Sequence, residues 1–175
     1  VFAPSVAEMY PRGFLTYVDQ DKLTYKLCGA HRPGHFRGVL TVVLKLFNVV
    51  RPTNAYFGQK DYQQAVVIQR MATDLNLDVK LHVMPIIREP DGLAMSSRNA
   101  YLGTKHRQEA LVLHQALARA HELVSAGERN VRKLAGEIKK IIGQSKSAKV
   151  DYISVVHPET LEDLNDISGK SVIAV

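Results

Sequence analysis

Phe57-Gly58-Gln59-Lys60-Asp61-Tyr62-Gln63-Gln64 joins two apolar segments of different period, and its reading decides the fold. Upstream, Asn54-Ala55-Tyr56-Phe57 reads as a short buried strand; downstream, Ala65, Val66, Val67, Ile68, Met71, Ala72 and Leu75 recur at helical spacing. The octapeptide is therefore a strand-to-helix turn. Gly58 permits a tight turn and close approach of a ligand, and the amides that follow open a helix whose N-terminus attracts anions. Lys60 adds a full positive charge there, suited to a polyphosphate. Asp61 also fits an ordinary N-cap, and a turn of this kind by itself is more often structural than catalytic.

Beyond the helix, residues 79–87 alternate as a second strand with His82 facing out. Arg88-Glu89-Pro90-Asp91-Gly92 is a turn by composition. Leu93-Ala94-Met95-Ser96-Ser97-Arg98-Asn99 then sets two hydroxyls beside a guanidinium, a donor set that suits phosphate; Ser96 or Ser97 would serve equally as a helix cap. Strands separated by helices imply an α/β domain with a mainly parallel sheet, whose ligands bind at the carboxyl ends of the strands. Lys60 and Arg98 both follow strands, which is compatible with one shared crevice.

Upstream of the opening stretch, residues 39–50 are apolar enough for a helix buried on most sides, ended by Arg51-Pro52. His31-Arg32-Pro33-Gly34-His35-Phe36-Arg37-Gly38 precedes it as a basic turn. Cations at a helix N-terminus oppose the macrodipole unless an anion joins them; His35 as a structural histidine with Arg32 and Arg37 solvated is the alternative. Residues 14–18 alternate like a strand, and residues 22–27 read as a partly exposed connection.

Downstream the texture turns helical. Thr104 is the expected N-cap of a helix over 105–126 stopped by Gly127, a second helix covers 131–142, and 143–147 is a flexible break. Residues 150–156 and 171–175 alternate as strands. The expected organisation is an α/β domain over 1–98 and a small α+β domain over 99–175.

The 175 residues, 46% of them apolar, can bury a sizeable core. The net charge of +6 suits polyanionic ligands or simply a lysine-rich surface. A single cysteine, Cys28, rules out an internal disulfide, and no Cys/His cluster has zinc spacing, so the expectation is a cytoplasmic protein without a structural metal. No run of about 18 apolar residues and no leader occurs, so no membrane partner is expected. The opening Val1-Phe2-Ala3-Pro4-Ser5 reads like the end of a strand, which implies further chain upstream.

Phosphate-loop, dinucleotide and nucleophile-elbow motifs are all absent. What remains is an electrostatic site of Lys60, Ser96, Ser97 and Arg98, the complement of a nucleoside triphosphate attacked by a substrate oxygen.

His35-Phe36-Arg37-Gly38-Val39, the stretch 57–64 and Asp91-Gly92-Leu93-Ala94-Met95-Ser96-Ser97-Arg98-Asn99 together resemble the pantoate-β-alanine ligase family, in order and in spacing. The resemblance covers essentially the whole chain. It implies a Rossmann-like, cytidylyltransferase-like parallel sheet, and adenylation of pantoate by ATP with Mg²⁺, followed by attack of β-alanine. Carried over, Gly58, Gln59, Lys60 and Asp61 belong to the ATP site with Ile87 by the adenine, and Met95, Ser96, Ser97 and Arg98 form a second ATP strip. Gln64 binds pantoate, Val39, Val42, Val43 and Phe57 surround its methyl groups, and His35 lies near that pocket. A homodimer is implied too.

The family's upstream His-x-Gly-His motif and upstream glutamine are absent, as is its last short segment. The chain is therefore expected to be a fragment lacking N-terminal strands and inactive alone. Gln59 stands where an acidic residue is frequent and Cys28 where glutamate is frequent. Two rivals stay open: a related adenylating enzyme, which would keep the phosphate strip but lose Gln64 and its apolar surroundings, and a nucleic-acid-binding module, which the lack of interleaved aromatic and basic residues disfavours.

Overall fold

The computed structural model describes residues 1–175, which fall into two compact units, Val1–Met84 and Pro85–Val175. The first holds α1 (Val6–Met9), α2 (Leu27–His31), α3 (His35–Val50), β1 (Asn54–Gly58), α4 (Tyr62–Asp74) and β2 (Lys80–Met84). Strands β1 and β2 pair in parallel, Asn54 opposite Lys80 through Gly58 opposite Met84, with α4 as the crossover. Parallel neighbours require such a connection, since a tight hairpin cannot reverse the chain twice.

The core of this unit joins α3 to α4: Phe36, Leu40, Val67, Ile68 and Met71 are buried, with Val39, Val43, Phe57 and Leu81 packed against them. Burying each such side chain is worth about 1.5–3 kcal/mol before entropy is counted. Helix α3 starts a turn earlier than residues 39–50 suggest, at Gly34 with φ +76, so His35 and Arg37 are helical and not part of a turn. Glycine suits that left-handed start. Strand β1 is not buried as its composition implies: its residues alternate exposed and half-buried, and Tyr56 is 65% exposed.

Residues 14–18 form no strand. Their aromatic side chains find helix partners instead: Phe14 packs edge-on against Tyr10 and Tyr17, Arg37 lies 4.1 Å over the Tyr17 ring, and Lys45 lies 4.7 Å over Phe14. The Val18 N–H donates to Thr41 Oγ1 at 3.0 Å, where a strand would have used a neighbouring backbone. The short helix α2 replaces part of the expected connection.

The second unit holds α5 (Thr104–Ala110), α6 (Val112–Ser125), α7 (Val131–Ile142) and an antiparallel pair, β3 (Ser154–Val156) with β4 (Val172–Ala174). Its core gathers Val112, Ala116, Ala120, Ile138 and Ile142. The helix expected over 105–126 is two helices meeting at Leu111, and Gly103, not Thr104, is its N-cap. Gly127, at φ +98, ends α6 as expected. Residues 143–147 are anchored: Ser145 is buried, and Ser145 Oγ and the Ser147 N–H both donate to Glu109 Oε2. The compact units divide at Met84/Pro85 where composition suggested 98/99, because residues 88–99 are bonded to α5. No helix is long and apolar enough to cross a membrane.

Candidate functional site

In the first unit, Gly58 ends β1 and residues Gln59–Asp61 make one 3₁₀ turn into α4. The strand-to-helix turn read from the sequence is thus present at the carboxyl end of a parallel strand. Gly58 itself sits at φ −78, a conformation open to any residue, so the turn does not demand glycine; no atom lies within 4 Å of where its Cβ would be, so the space beside it is open. Asp61 occupies the N-cap position of α4, but no side chain caps the first-turn amides. Lys60 is exposed beside them and forms no ion pair within the chain. Its neighbour Gln59 is exposed as well.

Along α4 the two glutamines diverge. Gln64 is half-buried and hydrogen-bonds to nothing in the chain, whereas Gln63 is 6% exposed and its Nε2 donates to Leu23 O at 2.8 Å and Lys26 O at 2.7 Å. Val39, Val43 and Phe57 pack together on the core cluster, and Val42 is half-buried on the same helix. His35 lies at the start of α3, its Nε2 3.2 Å from Arg32 Nη1 and its ring 5.0 Å from that of Phe36. Arg32 also approaches Cys28 Sγ at 3.9 Å.

In the second unit, residues 87–95 form a tight hairpin: the Met95 N–H donates to Ile87 O, the Glu89 N–H to Leu93 O, and Arg88 bridges Ala94. Asp91-Gly92 is its tip, with Gly92 at φ +95. Ile87 and Met95 are both exposed. Ser96 Oγ accepts the Arg98 N–H at 3.3 Å and so caps the 3₁₀ turn Ser97–Tyr101, while Ser97 and Arg98 remain exposed and Arg98 has no acidic partner. The capping alternative therefore holds for Ser96 as an acceptor.

The hairpin is tied to α5. Arg107 Nη2 pairs with Glu89 Oε2 and with Asp91 Oδ2 at 2.7 Å, and its Nε donates to Asp91 Oδ2 at 2.9 Å. Asn99 Nδ2 donates to Glu89 Oε1 at 2.6 Å and to Ala94 O at 3.1 Å. The Asn99 amide, then the Arg107 guanidinium, hold the Glu89 carboxyl below its ordinary value. The Leu93 N–H, then Arg107, do the same for Asp91, and Arg107 is raised in turn by Glu89 first and Asp91 second.

Sequence reasoning missed Gln63 and Arg107. Gln63 shares the 63, 67, 71 stripe with Val67 and Met71, a signal that it faces inward. Arg107 carried no local signal, since its partners lie 16 and 18 residues away.

A family model described as Pantoate-beta-alanine ligase matches residues 1–175. A pantothenate synthetase of Thermosipho africanus is 55% identical over all 175 residues, which make up 63% of its own length, and one of Heliobacterium modesticaldum is 55% identical over 62% of its length. The chain thus spans a little under two thirds of these relatives. Among solved structures, a pantothenate synthetase from Thermus thermophilus superposes with a TM-score of 0.93 at 45% identity, over 97% of this chain and 62% of that one. A pantoate-beta-alanine ligase from Francisella tularensis, complexed with beta-gamma ATP and beta-alanine, gives 0.61 at 31% identity, over 95% and 60%.

Proposed function

The chain belongs to the pantoate-beta-alanine ligase family, and from that premise we propose that the protein carrying it joins pantoate to β-alanine at the expense of ATP. The observation that carries this reading is the turn Gln59–Asp61: a lysine without an ion pair, in a 3₁₀ turn that leads into a helix at the carboxyl end of a parallel strand. ATP and β-alanine are the ligands named for the Francisella tularensis neighbour.

In the proposed first step a carboxylate oxygen of pantoate attacks the α-phosphorus of ATP, and pyrophosphate leaves. Lys60 and Arg98 stabilise charge growing on the leaving phosphates, with Ser96 and Ser97 as further donors and Gly58, Gln59 and Asp61 lining the turn that presents Lys60. Ile87 and Met95 flank the adenine. Gln64 holds a polar group of pantoate while Val39, Val42, Val43 and Phe57 enclose its methyl groups, with His35 nearby. In the second step the amine of β-alanine attacks the acyl carbon and AMP leaves; apolar walls keep water from the reactive adenylate. None of these side chains forms a covalent bond to substrate.

No group of three or more His, Cys, Asp and Glu side chains is arranged to hold a metal. Mg²⁺ is therefore proposed as the nucleotide's own counter-ion, bound through phosphate oxygens and water, with no step routed through it. A cytoplasmic location and a homodimer complete the proposal.

The test is pyrophosphate release with ATP, Mg²⁺, pantoate and β-alanine. The longest natural polypeptide that carries these residues should turn over only when both ATP and pantoate are present, and a polypeptide of these 175 residues alone should not. Comparable turnover by the 175 residues would overturn the expected inactivity of this stretch and show that the family's upstream histidines and glutamine are not needed for the chemistry.

A further inference from the structure

All four oxygens of the two hairpin carboxylates are engaged, two of them by Arg107. Glu89 Oε1 accepts from Asn99 Nδ2 and Oε2 from Arg107; Asp91 Oδ1 accepts from the Leu93 N–H at 3.1 Å and Oδ2 from Arg107. Asn99 lies within the 3₁₀ turn Ser97–Tyr101, next to Arg98, and its own N–H returns to Ser96 O at 3.0 Å. An unbroken path of hydrogen bonds therefore leads from α5 through Arg107, Glu89 and Asn99 to residues 96–98. The side chains of Arg107, Glu89 and Asp91 are 33%, 26% and 33% exposed, so the cluster is screened less than a surface ion pair.

We propose that Arg107 is a positioning residue for the strip Ser96, Ser97 and Arg98, fixing through Glu89 and Asn99 the backbone that carries the phosphate donors. This rests on the nucleotide role proposed for that strip. A planar fork is needed because the guanidinium meets two carboxylates at once; a lysine ammonium reaches either one as a point charge. A ligand held by charge placement is sensitive to small displacements of its donors, so the loss of Arg107 is felt at a group it does not touch.

Affinity for a non-hydrolysable ATP analogue, measured by calorimetry in the longest natural polypeptide carrying these residues, tests this. Arg107→Gln should weaken binding by about tenfold, Arg107→Lys by less, and Asn99→Ala, which cuts the path at its other end, by an amount similar to Arg107→Gln. In an Arg98→Ala background, Arg107→Gln should cost clearly less than its roughly tenfold effect in the unaltered protein, because the charged donor of the strip is gone and only the two hydroxyls remain to be positioned. That non-additivity is what a merely structural role would not produce. Unfolding midpoints confirm that each variant is compared folded. Full additivity, or unchanged affinity in both Arg107→Gln and Asn99→Ala while Arg98→Ala is weakened, overturns the positioning role alone. Unchanged affinity in Arg98→Ala overturns the nucleotide reading of the strip and the positioning role with it.

Discussion

Gly92 and His114 are packed so closely that a Cβ on Gly92 would lie 2.4 Å from His114 Cδ2, and Gly92 holds φ +95. Glycine is thus required twice at the hairpin tip, for backbone angle and for space. Gly92→Ala is expected to destabilise the protein by about 2–5 kcal/mol, the sum of left-handed strain and overpacking. In a His114→Ala background only the strain should remain, about 1–2 kcal/mol. Denaturant unfolding of the four proteins checks this; an equal cost in both backgrounds would show that the histidine simply moves aside.

Gln63 and Gln64 are adjacent, yet they should fail differently. Gln63→Leu removes both donors to the Leu23 and Lys26 carbonyls and is expected to cost about 1–3 kcal/mol of stability. Gln64→Ala, which breaks no hydrogen bond within the chain, should change stability by less than about 0.5 kcal/mol but weaken pantoate binding by about 1–3 kcal/mol. ATP affinity should stay near normal in Gln64→Ala. Thermal unfolding and pantoate titration of both variants separate the roles, and a stable Gln63→Leu would contradict this assignment.

Lys60→Ala should lower the rate of pyrophosphate release by roughly a hundredfold or more, the scale of losing one preorganised charge donor. Because Lys60 is exposed and has no ion pair in the chain, its unfolding midpoint should not move. Near-normal turnover would remove the lysine from the phosphate site.

Acid should loosen the hairpin in a defined direction. Glu89 and Asp91 are held below their ordinary carboxyl values of 4.5 and 3.8. A depressed folded value means that the stabilisation is fully present above the ordinary values and is lost as pH falls through the folded ones. Amide exchange at Glu89, Gly92 and Leu93, corrected for intrinsic rates, should therefore be steady from neutrality down to the ordinary carboxyl range and rise below it. Arg107→Gln should shift that rise to higher pH. A pH-independent profile would mean that the carboxylates do not hold the turn.

The strand-to-helix turn at 57–64, the helix over 131–142 and the Asp91-Gly92 tip were legible in the sequence because each is enforced locally. A 3.6-residue stripe, a cap or a residue that tolerates positive φ restricts the chain whatever surrounds it. The placement of Lys60, Ser97 and Arg98 in exposed turns was legible for the same reason, since the turn residues lie beside them in sequence. Tertiary structure decided the rest. Residues 14–18 alternate like a strand, but Thr41 and the α3 cations offered their backbone and rings better partners than any neighbouring strand. The stripe 63, 67, 71 turned Gln63 inward, but only packing gave it the Leu23 and Lys26 carbonyls, and only folding brought Arg107 to carboxylates 16 and 18 residues earlier. Local rules fix which conformations a segment can adopt; the partner of a polar side chain depends on what the chain returns to it from a distance, and that is a property of the packed molecule.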